Sequence, residues 1–470
     1  MKLLSILRDS DSKISEILKW MLVVILPMGI YLLLDAASLT HILCVYASIT
    51  LWAILSWMTG VLPDTIVSLL LPVFYILAGV AKPIVVFSPW YGTVPWITLG
   101  GFLIGAMLTK TGLGLRIAYT LIRLAGGSYR NCIFGLMLTG FLIGPIVPSV
   151  LSKMTIMCII ACSICQALHL QPGSNEAAGI LLGAFFGVSI PAMCFLTGSA
   201  HIPMAVGIME QVAGITVTWS RFSMHNLPVC LLYAAVVYVA ICLLFKQKSD
   251  LDMKTVINTK YQKLGNTSAQ EKKGIVVLLV TVAFLATDSL HHISAGWIMM
   301  IAALTLFLPG IDILRQEDLK TLNVLLVFYI VGAMSIGAVA INIGADKLLA
   351  DGLITLLEGV STGKAIGLSY LFGMAALIFL MPITALSALT GALTTAAMQL
   401  GVNSQAMLYS FMYGLDQAIF PYQFATMLII YKTGLISIKQ LVRILVPKTV
   451  ICFLIIIYIA YPFWSLLGLT

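Results

Sequence analysis

The segment 144–156, GPIVPSVLSKMTI, combines two prolines, two serines and a lysine within an apolar region. Proline lacks the helical N–H and frees the carbonyl one turn earlier, so this segment predicts a broken helix or a hairpin. Lys153 is a cation beside the helix ends that such a break exposes, which suits an anionic ligand. We expect Pro148, Ser149, Ser152 and Lys153 to bind a substrate anion. The alternative is that the Lys153 ammonium extends along its aliphatic stem to the nearest water.

Three other apolar segments carry polar groups that can hydrogen-bond an anion or coordinate a small cation. The expected substrate contacts are Thr197, Gly198, Ser199 and His201 in the first, Ser387, Thr390 and Thr394 in the second, and Pro421 and Gln423 in the third. The expected coupling-ion ligands are Asp416, Thr384 and Ser387. Asp416 is also a candidate to neutralise Lys153. The alternatives are helix packing by the hydroxyl residues and a structural hydrogen bond for His201.

The composition identifies the surroundings of these residues as a membrane. Hydrophobic residues make up 60% of the 470 residues and charged residues only 9%, against about 25% charged in soluble domains. Apolar runs of about 17 to 25 residues, long enough to cross the hydrocarbon core as helices, recur along the chain. We therefore predict an all-α polytopic membrane protein.

Motifs typical of several other protein classes are missing from the sequence. Without a Walker sequence, an HExxH motif or a serine–histidine–acid set, we expect neither ATP-driven transport nor an enzyme. Without a basic patch beyond the loops, we expect no nucleic-acid partner. The expected partners are a small anion and the lipid bilayer, and no cofactor is expected other than Na⁺ or H⁺ as a coupling ion.

The distribution of lysines predicts on which side of the membrane the loops lie. The segment 246–273 holds seven lysines against three acids, so we predict it to be cytoplasmic, like the amphipathic leader 1–19. A second cytoplasmic loop is predicted to contain Lys432 and Lys448, and an interfacial helix is predicted to contain Arg116. With six crossings before the linker and five after it, we expect the C-terminus to lie outside the cell. The expected location of the protein is a bacterial inner membrane.

Together, charges and prolines divide the chain into two halves. The predicted parts are the leader 1–19, a first half at 20–246 with a hairpin at about 131–170, a cytoplasmic linker at 247–273, and a second half at 274–470 with a hairpin at about 365–400.

Three pairs of segments match in order: 99–114 with 330–345, 144–149 with 379–384, and 225–238 with 444–457. Their predicted orientations are opposite. About 11 transmembrane helices in two inverted repeats, each with a re-entrant hairpin and a broken helix, are typical of a secondary transporter.

The sequence resembles the divalent anion:sodium symporter family, in particular its citrate, tartrate and oxoglutarate branch. The family motif Pro-Ser-Asn-Thr-Ala-Arg corresponds to Pro148-Ser149-Val150-Leu151-Ser152-Lys153. Its Phe-Leu-Thr-Gly stretch corresponds to Phe195-Leu196-Thr197-Gly198, and its final proline motif to Phe420-Pro421-Tyr422-Gln423. The Ser/Thr-rich motif of the second hairpin corresponds loosely to 387–395.

The resemblance implies a secondary carrier of di- or tricarboxylates or sulfate, with a homodimer, two scaffold-and-transport halves and elevator-like alternating access. In the family, Ser-Asn-Thr hairpin tips hold sodium and the substrate carboxylates. Because the asparagines are absent here, a Lys153 ammonium in place of sodium would give a proton-coupled carrier or an exchanger; sodium near Ser149 and Ser387 is the alternative. A cation/proton antiporter using Asp416 and a sensor without transport also stay open.

Overall fold

The computed structural model describes residues 13–247, 251–357 and 359–469. All regular secondary structure within these ranges is helical. Eight of the helices described there are long and apolar enough to cross a membrane, or nine if one bent pair counts as a single span. The prediction of an all-α polytopic membrane protein is confirmed. The number of eleven crossings stays a prediction, and residues 1–12 of the expected leader lie outside the described part.

The first half and the linker contain helices α1 to α12. In chain order these are α1 (Lys13–Ala36), α2 (His41–Thr59), α3 (Asp64–Leu77), α4 (Pro83–Val86), α5 (Val94–Thr111), α6 (Leu113–Ala125), α7 (Tyr129–Ile143), α8 (Val150–Ala167), α9 (Asn175–Ser189), α10 (His201–Ala213), α11 (Trp219–Leu244) and α12 (Met253–Gln262). Short 3₁₀ helices occur at Ser88–Tyr91 and Pro191–Met193.

Helices α13 to α23 form the second half. They are α13 (Ala269–Ala286), α14 (Asp288–His291), α15 (Ala295–Thr305), α16 (Val324–Ile343), α17 (Ala345–Leu357), α18 (Thr362–Phe379), α19 (Pro382–Gln399), α20 (Ser404–Leu415), α21 (Ala425–Lys432), α22 (Ile438–Ile455) and α23 (Tyr461–Leu466). Further 3₁₀ helices occur at Gln316–Thr321 and Pro421–Gln423, and a π-helical turn at Ile456–Ala460 joins α22 to α23.

The order of helices in α5 to α11 recurs in α16 to α23. Each series begins with a long helix that ends at a glycine with positive φ, Gly112 (φ 74°) or Gly344 (φ 76°), where the chain turns into a shorter helix. Glycine suits both positions because a side chain disfavours this left-handed conformation. The bend between α5 and α6 is 72°.

Two kinds of interruption follow in each series, and they contain most of the candidate residues. The first prolyl pair is α7 and α8 with the break at 144–149, and the second prolyl pair is α18 and α19 with the break at 380–381. The first interrupted helix is α9 and α10 with residues 190–200 between them. The second interrupted helix is α20 and α21 with residues 416–424 between them.

Glycines allow each interrupted helix to pack closely on the prolyl pair of its own half. An added Cβ at Gly140 of α7 would lie 1.4 Å from the Gly187 carbonyl oxygen of α9. In the second half, an added Cβ at Gly414 of α20 would lie 2.1 Å from the Tyr370 carbonyl oxygen of α18. Small residues permit such close helix contacts in membrane proteins. The interrupted helices are therefore held in the interior, where α9 contacts both α7 and α8.

The two halves also interlock. Helix α8 contacts α21, and α19 contacts α10, so each prolyl pair packs on the interrupted helix of the other half. One continuous core of buried apolar side chains includes residues of both halves. The four interruptions consequently lie near the junction of the halves, and this junction positions the candidate site.

Arg116 contacts the linker in a way that the sequence did not predict. The Arg116 side chain is buried, with 9% of the residue exposed, and the membrane-surface position of its helix stays a prediction. Its Nε pairs with Glu271 Oε1 at 2.6 Å, and its Nη atoms donate to the carbonyls of Leu264, Gly265 and Asn266. The guanidinium has several donors, and this segment offers carbonyl and carboxylate acceptors that the hydropathy pattern cannot reveal. Arg116 thus attaches the linker to α6.

Lys448 corrects a prediction. The sequence predicts a cytoplasmic loop that contains Lys448 and a crossing at 447–467, but α22 begins already at Ile438 and contains Lys448, of which only 4% is exposed. Pro447 precedes it without ending the helix. The loop assignment of Lys448 is wrong because it was made from positive charge alone, although the residues that follow Lys448 are apolar.

Candidate functional site

A proline–glycine contact and a serine cap fix the break in the first prolyl pair. Pro148 lies against Gly101 of α5, where an added Cβ would be only 1.9 Å from the proline ring. Ser149 is the N-cap of α8, and its Oγ accepts a hydrogen bond from the Ser152 N–H at 3.2 Å. The two serine hydroxyls are also bonded to each other at 2.8 Å. Capping satisfies an amide that the break exposes, so both serines have a structural role, and their contact with a substrate stays a prediction.

Lys153 lies in the first turn of α8, and only 2% of the residue is exposed. Its Nζ donates a hydrogen bond to the Gly198 carbonyl oxygen at 2.7 Å. Among the described residues, no carboxylate lies within ion-pair distance of this ammonium. A buried charge without a counter-ion is costly. The Lys153 ammonium is therefore the strongest candidate for an anion-binding group.

Thr197 connects the first interrupted helix to the break beside Lys153. Its hydroxyl donates to the Pro145 carbonyl oxygen and accepts a hydrogen bond from the Trp219 indole N–H at 2.9 Å. The Trp219 ring stacks on Phe195, with ring centroids 5.5 Å apart. Pro145 has no N–H to donate within a helix. Its own carbonyl oxygen accepts the hydrogen bond from Thr197. Both interruptions in the first half are thus held together by hydrogen bonds.

Gly198 has no space for a side chain. An added Cβ would lie 2.6 to 2.9 Å from three carbonyl oxygens of residues 191, 192 and 195. This close packing fixes the backbone whose carbonyl receives the Lys153 hydrogen bond. Next in the chain, Ser199 Oγ and His201 Nε2 are 3.2 Å apart, and His201 starts α10. The structure therefore brings Lys153, Thr197, Gly198, Ser199 and His201 to one region.

The predicted hydroxyls of the second prolyl pair are buried on α19. Ser387 donates to the Thr384 carbonyl at 3.0 Å, and Thr394 donates to the Thr390 carbonyl at 2.7 Å. Thr384 Oγ1 lies 3.4 Å from the Tyr329 hydroxyl. The Thr390 hydroxyl is buried and has no hydrogen-bond partner. Most of these groups thus bond within their own helix, and Thr390 retains the free capacity that a ligand would use.

Asp416 is the C-cap of α20 and lies beside Lys448 rather than Lys153. The Lys448 Nζ donates to the Asp416 carbonyl oxygen at 3.0 Å and lies 3.8 Å from its carboxylate Oδ2. The sequence reasoning missed Lys448. The sequence carries no local signal for this contact, because Asp416 is 32 residues away and contributes a backbone oxygen.

Pro421 and Gln423 shape the loop of the second interrupted helix. Pro421 begins the 3₁₀ turn. The Gln423 Oε1 accepts hydrogen bonds from the backbone N–H groups of Ile419 and Phe420, both at 2.8 Å. The amide side chain thereby satisfies two donors that the missing helical turn leaves free.

A small cavity lies where the two halves meet. It is lined by Met193, His201, Pro382, Leu386, Met412, Leu415, Asp416 and Phe424. These residues come from both interrupted helices and from the second prolyl pair. His201 and Asp416 are the titratable groups among them. Ser387, Thr390, Thr394 and Gln423 do not line it.

Comparison with known proteins identifies the family. The model of the sodium:sulfate symporter transmembrane region matches residues 14–470. A membrane protein of Cupriavidus necator is 25% identical over 385 residues, which is 79% of this chain and 74% of that protein. The sodium-dependent dicarboxylate transporter SdcS of Staphylococcus saprophyticus is 24% identical over 284 residues, which is 56% of this chain and 54% of that protein. The match thus spans about half the length of SdcS.

A solved structure supports the fold. The crystal structure of the YdaH transporter of Alcanivorax borkumensis superposes with a TM-score of 0.58 at 15% identity, covering 81% of this chain and 86% of that one. Because the family model extends over nearly the whole chain, the resemblance read from the motifs is confirmed. The protein belongs to the sodium:sulfate symporter family, the divalent anion:sodium symporters, and is a membrane transporter.

Proposed function

We propose that the protein is a secondary active carrier of small di- or tricarboxylate anions. The observation that carries this proposal is the buried Lys153 ammonium, which donates to a backbone carbonyl and has no carboxylate within ion-pair distance among the described residues. An anion bound beside it would supply the missing counter-charge. The name of the staphylococcal relative supports dicarboxylates as the substrate class.

The proposed anion site extends over both halves of the chain. Its residues are Pro148, Ser149, Ser152, Lys153, Thr197, Gly198, Ser199 and His201 from the first half, and Ser387, Thr390, Thr394, Pro421 and Gln423 from the second. The proposed architecture is a pair of inverted repeats in a homodimer, with a cytoplasmic N-terminus, in a bacterial inner membrane. The shared order of helices and the reciprocal contacts between halves support the repeats.

For the coupling ion, we propose H⁺ or exchange of anions. The Lys153 ammonium donates to the Gly198 carbonyl, and it would supply there the positive charge that a bound sodium would otherwise supply. The family name and the name of SdcS favour sodium instead, which would then bind near Ser149 and Ser387, with Asp416 and Thr384 as further ligands. The two proposals differ in the gradient that drives uptake.

The test is uptake into proteoliposomes of labelled succinate, citrate, tartrate, oxoglutarate and sulfate. Each anion is offered with a sodium gradient, a proton gradient or internal unlabelled anion. We expect accumulation of a dicarboxylate or tricarboxylate with the proton gradient or by exchange. Stimulation by sodium of about tenfold or more would contradict proton coupling, and absence of uptake under every condition would contradict the carrier.

Lys153→Ala is the variant that tests the site. We expect at least a tenfold loss of uptake, because removal of one buried charge that pairs with a ligand costs about 2 to 5 kcal/mol. Lys272→Ala is the matched control, since Lys272 is exposed in the linker region. Wild-type uptake by Lys153→Ala would show that the anion binds elsewhere.

A second candidate function is cation/proton antiport with Asp416 as the ion site. The observation that favours it is the buried Asp416 carboxylate, which shares a cavity with His201. In that case Asp416→Asn abolishes cation-driven proton movement in liposomes containing a pH-sensitive dye, whereas Lys153→Ala has a milder effect. Anion binding without uptake would instead indicate a sensor.

A further inference from the structure

The Lys448 ammonium lies near two oxygen atoms of Asp416, at the end of α20. Its Nζ lies 3.0 Å from the Asp416 carbonyl oxygen and 3.8 Å from the Asp416 carboxylate. Both side chains are buried, with 3% of the Lys448 side chain and 10% of the Asp416 side chain exposed. The face of the Phe186 ring lies 5.9 Å from the ammonium. Lys448 therefore stands in a closed environment that contains both a full and a partial negative charge.

The surroundings of this pair have further oxygen atoms with unused capacity. Gln417 follows Asp416, and its Oε1 is buried without a hydrogen-bond partner, while its Nε2 donates to the Tyr413 carbonyl. The hydroxyl of Tyr233 is also buried, and it lies beside the Gln417 side chain. Buried polar atoms are normally satisfied. Carboxylate, carbonyl, amide and hydroxyl oxygens are also the ligands that hard cations prefer in proteins.

The end of α20 adds to the preference for positive charge. The last carbonyls of a helix carry a partial negative charge and attract cations. The Lys448 ammonium reaches Asp416 from α22, just as the Lys153 ammonium reaches Gly198 from α8. Each interrupted helix therefore has one buried ammonium on a backbone carbonyl. In the part of the chain that the structure describes, a carboxylate lies within ion-pair distance of the ammonium at Asp416 but not of the one at Gly198.

We propose that Lys448 occupies a cation site and that this site accepts a monovalent metal ion, Na⁺, when the lysine side chain is removed. Asp416 supplies its carboxylate and its carbonyl oxygen, and the side-chain oxygen of the adjacent residue Gln417 is a further candidate ligand. The wild-type protein then needs no metal ion at the second interrupted helix, because the tethered ammonium provides the charge. This inference deepens the proposed function. One consequence rests on that function, namely that sodium does not drive transport through this position.

The test measures sodium binding and does not depend on transport. Full-length Lys448→Ala is purified, and its melting temperature is compared in sodium chloride and in choline chloride of equal ionic strength. We expect sodium to raise the Tm by about 2 °C or more, with retention of radioactive sodium in stoichiometric amount. The wild type and the Lys272→Ala control should show neither effect. An equal Tm of Lys448→Ala in both salts would overturn the proposal. The same holds if sodium raises the Tm of the double variant, Lys448→Ala with Asp416→Ala, which lacks the carboxylate ligand.

Folding of the variant is also informative. Lys448→Ser adds a hydroxyl ligand and is measured in the same way if Lys448→Ala does not yield protein. Folding of either variant in sodium but not in choline supports the site, whereas failure of both variants in both salts assigns the lysine a structural role and overturns it. Sodium binding by Lys448→Ala together with no anion uptake by the wild type would contradict the proposed function alone.

Discussion

At the scale of residues, the two buried lysines have different amounts of uncompensated charge. Lys448 has the Asp416 carboxylate at 3.8 Å in addition to its carbonyl partner. Lys153 has the Gly198 carbonyl and no comparable carboxylate among the described residues. A carbonyl dipole offsets only part of a buried charge. Of the two ammonium groups, Lys153 is therefore the stronger candidate for binding an anion.

Gly198→Ala tests whether the backbone at this position matters for transport. The new methyl group would be 2.6 Å from the Ala192 carbonyl oxygen, so the chain must shift and move the carbonyl that Lys153 contacts. We expect uptake to fall about tenfold or more, with a lower Tm. Gly352→Ala is the control, because an added Cβ at Gly352 meets nothing within 4 Å. Wild-type uptake by Gly198→Ala would contradict the role of this backbone.

Particular residues show how far sequence reasoning reaches. Lys153 could be singled out because a lysine near two prolines in an apolar run is a local signal. Lys448 could not, because its partner Asp416 is 32 residues away and contributes a backbone oxygen. The hydroxyls of α19 are equally ambiguous in sequence. Whether Thr390 or Thr394 has a free hydroxyl depends on side-chain orientation, which the packing decides.

At the scale of elements, Arg116 and Glu271 attach the linker and α13 to α6. Glu271 also caps α13, since its carboxylate accepts from the Ser268 N–H at 2.6 Å. Burial raises the pKa of the Glu271 carboxyl, but the hydrogen bonds from Arg116 and Ser268 outweigh it and hold the pKa below its usual value. The ionised carboxylate is thus the form that stabilises the fold. Because this carboxyl joins two helices and a loop, its loss should affect all three.

Glu271→Gln should lower the Tm by about 5 °C or more at neutral pH, since it leaves the buried Arg116 unpaired. The pKa is lower in the folded protein than in the unfolded chain, so the stabilisation is present above the unfolded pKa and lost as pH falls through the folded pKa. The difference in Tm between wild type and variant should therefore be constant near neutral pH and shrink below about pH 4.5. Thermal unfolding across pH measures it. The exposed Glu317→Gln is the control, and a difference independent of pH would contradict the role of the charge.

At the scale of the whole molecule, the halves share one order of helices and pack on each other reciprocally. Three short sequence matches sufficed to suggest the repeat. The interlocking of α8 with α21 and of α19 with α10 was not predictable, because it joins segments of different halves that lie far apart in the chain and carry no motif for each other. A movement of either interrupted helix must therefore be accommodated by the prolyl pair of the opposite half.

The inverted relation of the halves predicts where the linker and the C-terminus lie. If the second half repeats the first in the opposite orientation, an odd number of crossings separates the lysine-rich linker from the C-terminus, and positive loops stay in the cytoplasm. Fusions of alkaline phosphatase and of green fluorescent protein, placed after residue 266 and after residue 470, measure this in bacterial cells. We expect fluorescence without phosphatase activity at the linker and phosphatase activity without fluorescence at the C-terminus. Fluorescence at both positions would mean an even number of crossings in the second half, and the halves would then not be related by an inverted repeat.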